Sequence, residues 1–265
     1  MNVDKRGVSY AISAVIMTAT IVVLVLVTSV YTYQVLENQR GASEFSVAQK
    51  SILAFDDALE NIAWKVHGSR SARFNIEYGI LELMPNKLLT VNATGFEGAV
   101  RSLNTSYVKY SIETRYISLG ENYTSYILGD SKLVSNGTGT YGRALVEQRS
   151  GWIAVTLSYG VRAMETSTID VIDGNTTTRV TYVDIWIIEV DVDEWSAHIS
   201  DFDLKARCLE VQTHPTSVYP VDEENRLINI TVQLDGESDS TIIQLDDDAE
   251  SVVFNFVIAT VQLTI

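Results

Sequence analysis

The residues that could carry chemistry in this 265-residue chain are few. The three histidines, His67, His198 and His214, have no metal-ligand spacing, and no H-E-x-x-H run surrounds any of them. There is no G-x-S-x-G nucleophile elbow, no phosphate-cradling glycine loop and no dinucleotide fingerprint. Asp191, Asp193, Glu194, Asp201 and Asp203 could offer oxygens to Ca²⁺, and Asp246-Asp247-Asp248 forms a second acidic run. Neither follows EF-hand spacing, and acidic runs are usually solvated loops, so no metal and no cofactor are expected. With no catalytic constellation in the sequence, an enzyme is not expected. Cys208 is the one cysteine, which excludes an intrachain disulfide. Along 202–208 it shares a face with Phe202, Leu204 and Ala206 while Asp203, Lys205 and Arg207 alternate with them, so a buried thiol is expected.

The commonest chemical motif is the N-glycosylation triplet. It stands at Asn92, Asn104, Asn122, Asn136, Asn175 and Asn229, each followed two residues later by Thr or Ser. All six lie in the second part of the chain, and some are expected to carry glycans. Asn136 and Asn175 fall in turns and Asn229 on the polar face of a strand, so all three should be reachable. A net charge of −15 argues against nucleic acid or anionic lipid as a partner.

These residues must be positioned by two kinds of element. Gly7 to Leu36 is a run of 30 uncharged residues dominated by Val, Ile, Ala, Leu and Thr. As a helix it would be roughly 45 Å long, where about 20 residues already span a bilayer. Lys5 and Arg6 stand before the run and only Arg40 lies close after it. The positive-inside rule then keeps the N-terminus in the cytoplasm and sends residues 37–265 outside, with all six glycosylation triplets.

A cleaved secretory signal fits poorly, because its apolar core would be about 7–15 residues and a small-residue cleavage site would follow. A plain uncleaved anchor remains open. The third reading rests on Lys5-Arg6-Gly7-Val8-Ser9, a basic residue and a Gly set directly against the apolar run. This junction resembles the class III signal of archaeal type IV prepilins, and the resemblance covers roughly residues 1–66. It implies that a prepilin peptidase cuts between Arg6 and Gly7, with 1–6 as the leader. Bacterial pilins often carry Glu at the fifth mature position, which is Ala11 here, so only the bacterial subtype is disfavoured. The resemblance further implies a structural, pilin-like subunit of an archaeal type IV pilus-type surface filament. Such a subunit polymerises with its own copies or other pilins through the helix. It starts in the cell membrane and ends at the cell surface. The alternative is a monomeric membrane-anchored extracellular adhesin or binding domain.

The helical pattern continues past Leu36 as an amphipathic part over 37–68. Phe45, Ala48, Ile52, Phe55, Leu59, Ile62 and Val66 recur at three- and four-residue spacing, a packing stripe. Gln49, Lys50, Asp56, Asp57, Glu60 and Lys65 fall off it and should face water. Gly41 could permit a bend, and Gly68 suits a left-handed cap. Over 69–265 the period changes to two, as in Tyr107–Ile117, Trp152–Tyr159, Leu227–Leu234 and Ser251–Ile265, with Tyr182–Val192 apolar on both sides. Asn136-Gly137, Asp173-Gly174 and Asp235-Gly236 are hairpin signals. The expected fold class is α+β: a long N-terminal hydrophobic helix followed by an antiparallel β-sandwich-like extracellular domain.

Overall fold

The computed structural model describes residues 5–137, 139–173, 176–222 and 226–265. Its single α-helix, α1, runs unbroken over Lys5–Ala63, about 90 Å of helix. No proline interrupts it, and it continues through Gly41. Gly41 is required for a different reason: a Cβ there would lie 2.6 Å from the Tyr116 ring. The helix stops earlier than its stripe suggests. Lys65 N and Gly68 N bond back to Ile62 O and Lys65 O in a tight turn, and His67 N and Cys208 make the next links to the sheet. The left-handed position at this end is taken by His67 (φ 65°), not by Gly68. Because α1 ends at Ala63, Val66 leaves the stripe and is 50% exposed; Ala63, fully buried, takes its place.

Thirteen strands follow. They are β1 (Ser69–Thr94), β2 (Val100–Glu113), β3 (Thr124–Leu128), β4 (Val134–Ser135), β5 (Gly142–Arg149), β6 (Trp152–Tyr159) and β7 (Val161–Asp173). After them come β8 (Thr176–Asp191), β9 (Ser196–Pro215), β10 (Tyr219–Pro220), β11 (Leu227–Leu234), β12 (Glu237–Gln244) and β13 (Ser251–Thr264). The period-two runs read from sequence land on β2, β6, β8, β11 and β13. The β11–β12 hairpin turns on Asp235 and Gly236, both at positive φ (49° and 91°), as a two-residue primed turn requires. Asn136-Gly137 lies in the connection between β4 and β5, whereas Gly174 of the third turn signal lies outside the described residues.

The α+β class holds, a long apolar helix followed by a large sheet, and the strand pairing is mixed where an antiparallel sandwich was expected. The strands form one mixed sheet in the order β3-β5-β6-β2-β1-β9-β13-β8-β7-β4, with β13–β8 and β4–β7 parallel. The physical reason is strand length. β1 spans 26 residues and shares one edge between two partners: β9 along residues 69–83 and β11 along 89–94. Register shifts between Ile76 and Leu81, and between Met84 and Lys87, bend it at that change. The sheet therefore forks at β1 and stays connected.

The same long strands bury opposite faces at their two ends. In β8, Val183, Ile185 and Ile187 enter one core, and Ile188 and Val190, with Val192 just past the strand end, belong to the other. In β13, Val252, Phe254 and Phe256 are followed by Ala259, Val261 and Leu263 in the same exchange. One core lies under the helix stripe; the other lies between the β11–β12 arm and β7, β8 and β13. This explains why Tyr182–Val192 reads as apolar on both sides.

Candidate functional site: an exposed apolar helix and its dock

Over residues 12–36 the first half of α1 is exposed on every side. From Ile12 to Tyr33 its large apolar side chains are 53–68% exposed, falling to 37% and 44% at Val35 and Leu36. This cylinder, about 37 Å long and about 10 Å across, presents on the order of 1,000 Å² of apolar surface, several times the patch an ordinary soluble monomer shows. A helix with mean hydropathy 2.4 in its most apolar window is long and apolar enough to cross a membrane. Four of its hydroxyls bond back to their own helix. Thr18 Oγ1 donates to Ala14 O (2.6 Å), Thr20 Oγ1 to Ile16 O (2.8 Å), Thr28 Oγ1 to Leu24 O (2.8 Å) and Ser29 Oγ to Val25 O (2.7 Å). A polar group bonded in this way to its own helix costs little in a medium that offers no partners. Lys5, Arg6 and Gly7, the expected cleavage residues, form the first turn of this helix.

The second half is locked into the sheet. Phe45, Ala48, Ile52, Phe55, Leu59 and Ile62 are all buried to 4% exposure or less, as their spacing predicts. Three acidic residues add fixed points that apolar periodicity cannot reveal. Glu44 receives the consecutive backbone N–H groups of Glu77, Tyr78 and Gly79 (2.8–2.9 Å) and the Tyr110 hydroxyl (2.9 Å). These donors sit where β1 changes register, so the carboxylate satisfies N–H groups that no strand pairs. Glu60, expected to face water, is half-buried and accepts from Thr140 Oγ1 (2.5 Å), Tyr141 N (2.7 Å) and Gly142 N (3.2 Å). Asp56, also expected in water, is only 4% exposed.

Asp56 is the anomaly of the dock. Its Oδ1 and the Tyr159 hydroxyl are both enclosed, and their contact falls short of a full hydrogen bond. Burial raises its pKa to about 7, with the Glu60 charge adding to the rise. A Cβ at Gly142 would collide with this carboxylate, so glycine is required there. Lys50, Asp57 and Lys65 do face water; Gln49 is half-buried. Cys208 is buried beneath the helix end, with Sγ 3.1 Å from Ala63 O, and burial pushes its thiol up.

The remaining expected sites are dispersed. Asn92, Asn104, Asn122 and Asn136 are exposed. Asn229 is half-buried in mid-strand with Oδ1 enclosed, which makes it the least reachable of the five described. Asn175 lies outside the described residues. Asp193, Glu194, Asp201 and Asp203 are exposed and Asp191 is half-buried. Among the described residues no group of three His, Cys, Asp or Glu side chains converges to hold a metal ion. Sequence reasoning missed Glu44, Asp56 and Glu60; the one available signal is that they flank the stripe at its own four-residue spacing.

Comparison with protein-family models, with curated proteins and with solved structures gives no match to this chain.

Proposed function

We propose that the chain is a structural, pilin-like subunit of an archaeal type IV pilus-type surface filament, held first in the cell membrane and then polymerised through its N-terminal helix. The carrying observation is that α1 is apolar on every side over Ile12–Leu36 and rigidly continuous with a segment fixed into the β-domain. An anchor needs such a helix only to reach across lipid. A filament needs it to exchange lipid for neighbouring helices while a rigid neck keeps each domain in register. The basic pair next to Gly7 supports the same reading, since cleavage there removes the two charges that hold the helix in the bilayer. Each costs about 2.5–3.5 kcal/mol at the centre of a membrane.

Mass spectrometry of the native N-terminus tests this. A chain beginning at Gly7 is expected. An intact Met1 or Asn2 terminus on surface-exposed protein contradicts the proposal and favours the monomeric, membrane-anchored binding domain.

A further inference from the structure

Glu60 and Trp64 stand one turn apart where α1 ends and open onto a shallow cleft of about 580 Å³, completed by Thr140, Tyr141, Arg162 and Trp186. The cleft is built. Trp64 and Tyr141 lie with ring centroids 5.7 Å apart, and Arg162 and Trp186 are direct cross-strand partners on β7 and β8. The Arg162 guanidinium covers the Tyr141 ring at 4.1 Å and donates through Nη2 to Gly139 O. Its Nε is enclosed with no acceptor. Glu60 places all its bonds on Oε1, which leaves Oε2 as an acceptor.

We propose that this cleft binds the ring of a neutral pyranose sugar. Two half-buried indoles offer π faces to the weakly positive C–H face of a sugar. Glu60 Oε2 supplies an acceptor, and the terminal N–H groups that Arg162 does not spend on Gly139 O supply donors for its hydroxyls. Charge selects the neutral class. The two side chains cancel locally, and the net charge of −15 repels an anionic sugar. A cationic ligand is disfavoured because Arg162 already occupies the Tyr141 face. The volume falls within the range of small-molecule sites, about 300–1,000 Å³, and the open shape sets a millimolar affinity for one ring. Trp64 lies about 40 Å along the helix from Leu36, at the end away from the apolar segment. The cleft thus lies outside the apolar segment, open on the surface of the single chain.

The test uses the full chain in polyoxyethylene-ether micelles, which carry neither sugar nor choline, with the four tryptophans labelled for indole N–H resonances. Glucose, galactose, mannose and N-acetylglucosamine are titrated to roughly 100 mM, with glucuronate and choline as the charged counterparts. Saturable millimolar shifts confined to Trp64 and Trp186 are expected with at least one neutral sugar, Trp152 and Trp195 staying still. Arg162→Gln should weaken that response at least tenfold while leaving the Trp152 and Trp195 signals in place, which separates lost binding from misfolding. No response to any neutral sugar, equal movement of all four indoles, or a response to glucuronate or choline alone would overturn the proposal. Comparing glycosylated with unglycosylated protein identifies the source. Cleft signals already shifted in the glycosylated form point to the chain's own glycans, and unshifted, titratable signals point to foreign ones. Neither result depends on whether filaments form.

Discussion

At the residue scale the dock is held by contacts that tolerate little change, and two of them set measurable expectations. Asp56 has a carboxyl raised from an unfolded value near 3.8 to about 7. Between these values the folded chain holds a proton that the unfolded chain has lost, so stability is full below about pH 4 and falls as pH rises towards 7. The loss amounts to at most about 4 kcal/mol. Urea unfolding of the wild type should therefore show a lower midpoint at pH 8 than at pH 5, and Asp56→Asn should flatten that difference; a dependence unchanged in the variant would remove Asp56 as its cause. Gly41 tests steric fit in the same dock. On an isolated helix Gly41→Ala would stabilise by about 1 kcal/mol. Here the added methyl meets the Tyr116 ring at 2.6 Å, and overpacking of this kind costs about 1–3 kcal/mol. A net destabilisation is expected by denaturant titration, reversed in a Tyr116→Ala background where the ring is gone.

At the element scale α1 divides by environment into an exposed half and a docked half, and truncation should follow that division. Removing residues 1–36 leaves the stripe from Phe45 to Ile62 in place, so a soluble, cooperatively folding monomer is expected. Removing 1–68 takes seven buried side chains from the first core and uncovers Tyr110, against which Phe45 packs. That fragment should keep strand content by circular dichroism while binding a hydrophobic dye and losing a sharp unfolding transition; equal stability of the two fragments would contradict the packing described. Much of this was legible in the sequence. Period marked β6 and β11 to the residue and the stripe as far as Ile62, and Asp235-Gly236 marked its hairpin, because each depends on neighbours within a few positions. The helix end, the parallel β13–β8 pair and the fork at β1 were not legible. They depend on register shifts and on partners far apart in sequence, such as Ile76 with Ser200 and Val253 with Tyr182. Glu60 and Asp56 read as solvent-facing for the same reason: their partners, Tyr141 and Tyr159, come from the distant β5 and β6 region. The cleft beside Trp64 was likewise hidden, since Arg162 and Trp186 meet only through the β7–β8 register.

At the scale of the whole molecule the chain is an acidic β-domain carried on one rigid helix, and the proposed function depends on what surrounds that helix in use. In a bilayer a single carboxylate at mid-helix can draw in water or snorkel, at a cost of about 2.5–3.5 kcal/mol. Surrounded by copies of the same helix it reaches neither water nor headgroups, and every subunit carries the penalty. Val23, 58% exposed near the middle of the apolar segment, is the position to change. The Val23→Glu chain should still insert, because the flanking apolar residues are untouched, and should still be processed before Gly7. Electron microscopy of cells producing it, with the membrane fraction probed for the cleaved chain, is the most direct measurement. Cleaved, membrane-located protein with no filaments is expected; filaments of Val23→Glu subunits at normal abundance would show that this helix is not their core.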